Sequence, residues 1–239
     1  MNTRKVNAKH CKMVAHRGCS GLEKENTLAA FIAAGNRSYW GVETDVHRTA
    51  DGEYVVIHDS ETGRVAGDNI VIENTSFEYI RSLRLKDIDG TRTRADLRIP
   101  TLREYIAICK KYEKNCVLEF KTVYTLEQVA EMVEIIKEEG WLEHVVFISF
   151  AYDNLLNLRK ILPGHPAQFL TGEYTDAMVE MIHKDKIDLD IYFSALDEEK
   201  IKHLHDLGII VNAWTVDDPE KAQQLIDWGI DYITSNICE

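Results

Sequence analysis

"VLEFKTVYTLEQVAEMVEIIKEEGWLEHVVFIS", residues 117–149, contains one complete unit of the architecture. VLEF (117–120) is a short apolar run of strand length. Thr125 and Gln128 follow in capping-box spacing, where the hydroxyl accepts from a free backbone N–H of the first helical turn and the amide side chain reaches back. VAEMVEIIKEEG then keeps helical spacing and stops at Gly140, which closes a helix in the left-handed conformation without steric cost. VVFIS (145–149) is a second strand. A helix between two such strands returns the chain to the starting edge, so the strands lie parallel.

The same alternation extends over the 239 residues in both directions. MVA (13–15), VETDV (42–46), AQFL (167–170), DIYFS (190–194), IVNAW (210–214) and DYITS (231–235) bring the candidate strands to eight. A second capping box, Thr101 with Glu104, opens REYIAICKKY, and Gly208 and Gly229 close two further helices. Eight strands with intervening helices in a chain near the usual size predict an α/β fold, a (β/α)8 TIM barrel in a single domain over residues 1–239. No internal repeat, low-complexity tract or linker points to a second domain.

One stretch breaks the repeat. In HRTADGEYVVIHD, Asp51-Gly52 between two alternating runs is a hairpin signal, so YVVIH returns antiparallel to the second barrel strand and brings His58 roughly opposite Asp45. Residues 60–100 are polar and broken by Gly63, Gly67 and Gly90, and are expected to form an insertion capping the C-terminal, catalytic face of the barrel.

With 45% hydrophobic and 28% charged residues the chain can bury a full core, which argues against disorder and a coiled coil. Its formal net charge of -12 repels polyanions, so nucleic acid is not an expected partner. An anionic substrate would need a local concentration of positive charge. Cys11, Cys19, Cys109, Cys116 and Cys238 are odd in number and lack C-x-x-C spacing, so neither a disulfide framework nor a zinc site is indicated. That usage fits the reducing cytoplasm. No stretch has the apolar length of a membrane span, so no stable membrane insertion is expected, and the sequence leaves a homo-oligomer open.

Functional groups of a barrel project from the C-terminal ends of its strands. His16 and Arg17 follow the first strand, Glu43 and Asp45 lie on the second, Glu119 and Lys121 end the third, and Trp214 ends a later one. Strand alternation puts Glu43 with Asp45, and Glu119 with Lys121, on one side. Three carboxylates converging in a barrel mouth are costly unless a cation balances them, either Lys or Arg in structural bridges or a metal ion, for which an all-oxygen set suits Mg²⁺ or Ca²⁺. His16 and His58 would supply an acid and a base, with Arg17 and Lys121 as the local positive charge. His203, His205 and His47 are expected to be surface or packing residues, with His47 facing away from Asp45.

"AHRG" followed by "ENTLAAF", "VETDVHRTADGEYVVIHD", "IPTL", "LEFK" and "VNAWTVDD" together resemble the glycerophosphodiester phosphodiesterase family over about residues 13–236. The resemblance implies the same barrel with its insertion and a metal-dependent hydrolysis of a glycerophosphodiester, such as glycerophosphocholine or glycerophosphoethanolamine, to glycerol 3-phosphate and an alcohol. It implies His16 and His58 as general acid and base, in an order the sequence leaves open. It also implies Glu43, Asp45 and Glu119 as ligands of one divalent cation, and Arg17 and Lys121 as the phosphate clamp. The nucleophile is either water or the substrate's 2-hydroxyl. Trp214 aligns with the family's WTV tryptophan and is expected to form an apolar wall for the glycerol or head group. Lys24 stands where the family usually has Pro, either as an extra cation near the mouth or pointing to solvent, and TSNIC replaces an acidic residue and a proline. A related barrel enzyme of the sphingomyelinase D or lysophospholipase D type would use the same site on lipid. A barrel that binds phosphodiesters without turnover would lack a histidine or a metal carboxylate, and none is missing.

Overall fold

The computed structural model describes residues 2–239. β1 (Lys12–Ala15), β2 (Gly41–Arg48), β4 (Asn115–Phe120), β5 (Val145–Ser149), β6 (Ala167–Thr171), β7 (Asp188–Tyr192), β8 (Val211–Trp214) and β9 (Tyr232–Ser235) pair in parallel, and β1 contacts both β2 and β9. This is a closed eight-stranded barrel. β3 (Tyr54–Val56) lies outside the ring, antiparallel to the end of β2, with Val46 opposite Val56.

α1 (Leu28–Gly35), α3 (Leu102–Lys111), α4 (Leu126–Glu138), α5 (Tyr152–Ile161), α6 (Asp176–Asp185), α7 (Glu198–Asp206) and α8 (Pro219–Asp227) follow barrel strands. Both capping boxes form, on Thr101 with Glu104 and on Thr125 with Gln128. Gly140, Gly208 and Gly229 take positive φ past their helices. Among the described residues no helix follows β9. Instead the chain end meets residues 4–6, with Arg4 N donating to Ile237 O and Glu239 N to Arg4 O, each at 2.9 Å.

Alternation sorts the strand side chains. Leu118, Phe120, Phe147, Leu189 and Ile191 point outward into the layer shared with the helices. Val14, Val117, Val146, Ile148, Leu170 and Tyr232 fill the interior. The strand expected at 190–194 begins at Asp188 and ends at Tyr192, because Phe193–Ala195 turn into a 3-10 helix. Residues 60–100 carry a 3-10 turn (Ile72–Asn74), α2 (Phe77–Ser82) and a separate apolar cluster in which Val65, Ile72, Ile80, Leu85, Leu97 and Ile99 pack on Val55 and Ile57. The excursion therefore has a core of its own, anchored on the hairpin.

Gly18 connects β1 to α1 at φ +77, where an added Cβ would fall 2.7 Å from the Ala30 carbonyl carbon. Gly18→Ala would combine a left-handed backbone with overlap against rigid helix backbone, and is expected to cost about 2–4 kcal/mol. For a chain of this length that lowers the melting temperature by roughly 5–15 °C, measurable by circular dichroism.

Candidate active site

β2 and β4 are in register, with Asp45 beside Glu119 and Glu43 two residues deeper on the same side. All three carboxylates are buried, and one oxygen from each lies within 4.8 Å of the others. Arg17 takes φ +54, directing its backbone N–H to Glu43 Oε2 at 2.7 Å. Its Nε lies 3.5 Å from Asp45 Oδ2 without a directed hydrogen bond, and that oxygen accepts from Asn26 Nδ2 at 2.7 Å. Lys121 Nζ sits 2.9 Å from Glu119 Oε1 and 3.3 Å from Asp45 Oδ1.

Electrostatics separate these acids. Burial pushes Glu43 well above the carboxylate range, with Asp45 and Glu119 adding to it. Burial and the Asp45 charge raise Glu119 to about 8. Asp45 is equally buried, but Lys121 and Arg17 outweigh that and hold it below the usual range. Asp45 Oδ1 accepts no directed hydrogen bond among the described residues. Two acids forced toward protonation and one unsatisfied buried oxygen are the conditions a bound cation relieves. An all-carboxylate set fits a hard divalent ion held by Glu43, Asp45 and Glu119.

His16 and His58 line one cavity with Arg17, Glu43 and Glu119. His16 Nδ1 is 2.8 Å from Asn236 Oδ1, and the orientation of that amide follows from Asn236 Nδ2 donating to Asp217 Oδ2 at 2.6 Å. Because an amide oxygen only accepts, Nδ1 carries the proton and Nε2 is the free nitrogen. His58 Nδ1 donates to Asp59 Oδ1 at 2.7 Å, again leaving Nε2 free. Burial, helped by Arg17, lowers His16 to about 4, and burial also lowers His58. Both imidazoles are thus oriented from behind in the neutral form.

Arg64, from the inserted segment, ties these groups together. Its Nε donates to Asp59 Oδ2 at 2.6 Å, and its Nη atoms grip Glu25 at 2.7 and 2.8 Å. Glu25 in turn accepts from Arg17 Nη1 at 3.0 Å. The histidine behind the hairpin and the guanidinium of the first loop therefore share one ion-pair chain.

Opposite the charges the wall is apolar. Ile148, Phe150, Leu170 and Trp214 line the cavity, and Trp214 packs edge-on to Phe150 and tilted on Tyr192. Asp190, on β7, forms part of the floor. On the far side of His16 and Arg17 lies a wider polar cleft of about 640 Å³, lined by Arg4, Ser20, Glu25, Asp217 and Asn236.

The barrel mouth thus gathers every residue singled out in the sequence as a site candidate. One expectation needs correction. His47 is buried with its ring nitrogens 3.3 Å from Glu73 Oε1 and 3.2 Å from the His58 carbonyl. It shares Asp45's parity on β2, which runs past the barrel rim into the hairpin, so it supports His58 from behind. Lys24 is half-buried near Glu25, Arg64, Lys86 and Asp87, and burial lowers its pKa. His203 and His205 are exposed on α7, as expected. Asp59, Arg64, Asn236, Phe150 and Asp190 were not singled out. Two carried a signal: Asn236 lies in the divergent TSNIC stretch, and Asp190 is an acid inside a buried strand.

Fold and mouth together define a (β/α)8-barrel protein whose mouth sets two histidines, an arginine and a lysine around three buried carboxylates that could hold a cation. The sequence pattern of the Glycerophosphoryl diester phosphodiesterase family matches residues 16–238, and the chain belongs to that family of phosphoric diester hydrolases. It is similar to a glycerophosphodiester phosphodiesterase of Caldanaerobacter subterraneus, 29% identical over 230 residues that span 94% of this chain and 93% of the relative. Among solved structures it is similar to an Oleispira antarctica phosphodiesterase in complex with the product sn-glycerol-3-phosphate, with TM-score 0.88, 27% identity and coverage of 98% and 96% of the two chains. A Thermotoga maritima glycerophosphodiester phosphodiesterase gives TM-score 0.76 at 28% identity, over 95% of each chain. Among the described residues no helix is long and apolar enough to cross a membrane, and all five cysteines are buried and free.

Proposed function

We propose that this protein hydrolyses small glycerophosphodiesters, such as glycerophosphocholine or glycerophosphoethanolamine, to glycerol 3-phosphate and an alcohol. The observation carrying this reading is the pair of neutral histidines, each with Nε2 free on one cavity beside three carboxylates. Membership of the family and the glycerol 3-phosphate in the Oleispira complex support it.

Arg17 and Lys121 would hold the non-bridging oxygens of the diester, which orients the phosphorus between the two imidazoles. One histidine accepts the proton of the nucleophile; water yields glycerol 3-phosphate directly, whereas the substrate's own 2-hydroxyl yields a cyclic phosphate that a water must then open. The other histidine must first take a proton on Nε2 from solvent, which the anionic diester beside it favours, and passes that proton to the departing alkoxide, without which a choline or ethanolamine oxygen leaves slowly. Mg²⁺ or Ca²⁺, held by Glu43, Asp45 and Glu119, would supply fixed positive charge where the phosphoryl oxygens gain negative charge. In this reading the chain works as a single catalytic barrel capped by residues 60–100.

The test is glycerol 3-phosphate release from glycerophosphocholine by chelator-stripped enzyme resupplied with either ion. Release dependent on the ion supports the reading, and none from folded protein with either ion overturns it. Phe150 and Tyr192, 51% and 40% exposed at the mouth, favour a second reading, a lysophospholipase D or sphingomyelinase D type reaction on lipid. Faster turnover of lysophosphatidylcholine than of glycerophosphocholine would select it.

Arg64→Ala is expected to lower kcat/KM about tenfold through loosened His58 and Arg17, since misplaced catalytic groups cost rate steeply. Its side chain is 46% exposed, so the melting temperature should stay within about 2 °C of the parent.

A further inference from the structure

Asp190 is a carboxyl group that the reaction outlined above does not use. It is 1% exposed, and its Oδ1 accepts no hydrogen bond among the described residues. No basic side chain forms an ion pair with it among those residues, and the indole of Trp214 donates to its main-chain oxygen at 3.4 Å. Its neighbours on the other inward strand positions are satisfied: Asn212 Nδ2 donates to Gln168 Oε1 and Thr234 Oγ1 to Asn212 Oδ1. A buried acid left out of that network, in the floor of a cavity shared with His16, His58 and Glu119, is oriented for something that enters from the mouth.

Size and chemistry narrow the ligand. The cavity measures about 50 Å³, and its walls beside Asp190 are Ile148, Leu170, Phe150 and Trp214. That space takes a three-carbon arm more readily than a bulky quaternary ammonium. Apolar walls suit C–H faces, and a lone carboxyl suits a hydroxyl, which both donates and accepts. The wider cleft across His16 and Arg17 remains for the other arm of the diester.

We propose that Asp190 is the specificity-determining residue for the glycerol arm, binding one of its hydroxyls at the cavity floor while Trp214 and Phe150 pack on its carbons. This rests on the glycerophosphodiester reading of the site. It predicts that the enzyme selects a polyol arm over a plain alkyl arm of the same length, at a position distinct from the proton-transfer histidines.

Binding separates this from catalysis. Calorimetric titration of the Mg²⁺- or Ca²⁺-loaded enzyme with glycerol 3-phosphate and with n-propyl phosphate compares ligands differing only in the two hydroxyls. The parent should prefer glycerol 3-phosphate by about tenfold or more, in line with one buried hydrogen bond. Asp190→Leu should reduce that preference to within about twofold while leaving propyl phosphate binding nearly unchanged, and Asp190→Asn should retain an intermediate preference. Thermal unfolding of each variant confirms the fold, with Asp190→Asn the fallback if the leucine variant is unstable. An unchanged preference in a folded variant, or an equal loss for both ligands, overturns the inference. If the parent shows the binding preference and Asp190→Leu loses it, yet the parent does not turn over glycerophosphocholine, the reaction reading fails and the Asp190 assignment stands.

Discussion

Alanine at His16 or at His58 is expected to lower kcat/KM for glycerophosphocholine by roughly 10²–10⁴-fold each, the usual contribution of a positioned acid or base. Neither change should unfold the protein, because each imidazole faces the cavity with only its Nδ1 engaged, on Asn236 and on Asp59. The two variants are then distinguished by the leaving group. p-Nitrophenolate departs without a proton, so a glycerophosphodiester carrying it needs the base but not the acid. The variant that recovers most of its rate on that substrate has lost the acid, and the other has lost the base. Near-parent rates for both alanine variants on glycerophosphocholine would remove the histidines from the mechanism.

The parts of this site legible in the sequence are those set by strand geometry. Glu43 with Asp45, and Glu119 with Lys121, follow from alternation by two, and the parallel register of β2 and β4 then brings them together. The Asp51-Gly52 turn made the return of His58 readable for the same reason. His47 shows the same rule misapplied: two residues from Asp45 on one strand, it shares that side, and only the overrun of β2 past the rim keeps it out of the cluster. Asp190 was obscured by a strand boundary placed two residues late. Arg64 could not be paired with Glu25 and Asp59 beforehand, since its partners depend on how the inserted segment folds back 39 residues from the first loop. Asn236, in the TSNIC stretch that departs from the family pattern, holds His16 by a hydrogen bond without a charge of its own, and Asp217 places a carboxylate one bond further away.

Removing the divalent ion should make stability depend on pH in a direction opposite to ordinary carboxylates. In the metal-free fold Glu119 keeps its proton up to about pH 8, whereas the unfolded chain releases it near 4.5. The folded state therefore binds more protons across that range, and stability falls as pH rises. His16, with a folded pKa of about 4 and an ordinary value of 6.5, acts in the opposite sense but only below 6.5. The window from 6.5 to 8 thus isolates the carboxylates, and Glu43 and Asp190, both pushed up by burial, add to Glu119 in the same sense. One proton over that window corresponds to about 2 kcal/mol, or roughly 4–8 °C in melting temperature. An ion at a hundred times its Kd restores about 2.7 kcal/mol, and a fixed ion concentration restores more at pH 8 than at 6.5, because binding requires the protons to leave. Chelated enzyme should accordingly lose turnover by at least about a hundredfold and melt lower at pH 8 than at 6.5, with Mg²⁺ or Ca²⁺ reversing both. A flat melting profile between those pH values, unchanged by either ion, would mean that the three carboxylates are neutralised by Lys121 and Arg17 alone.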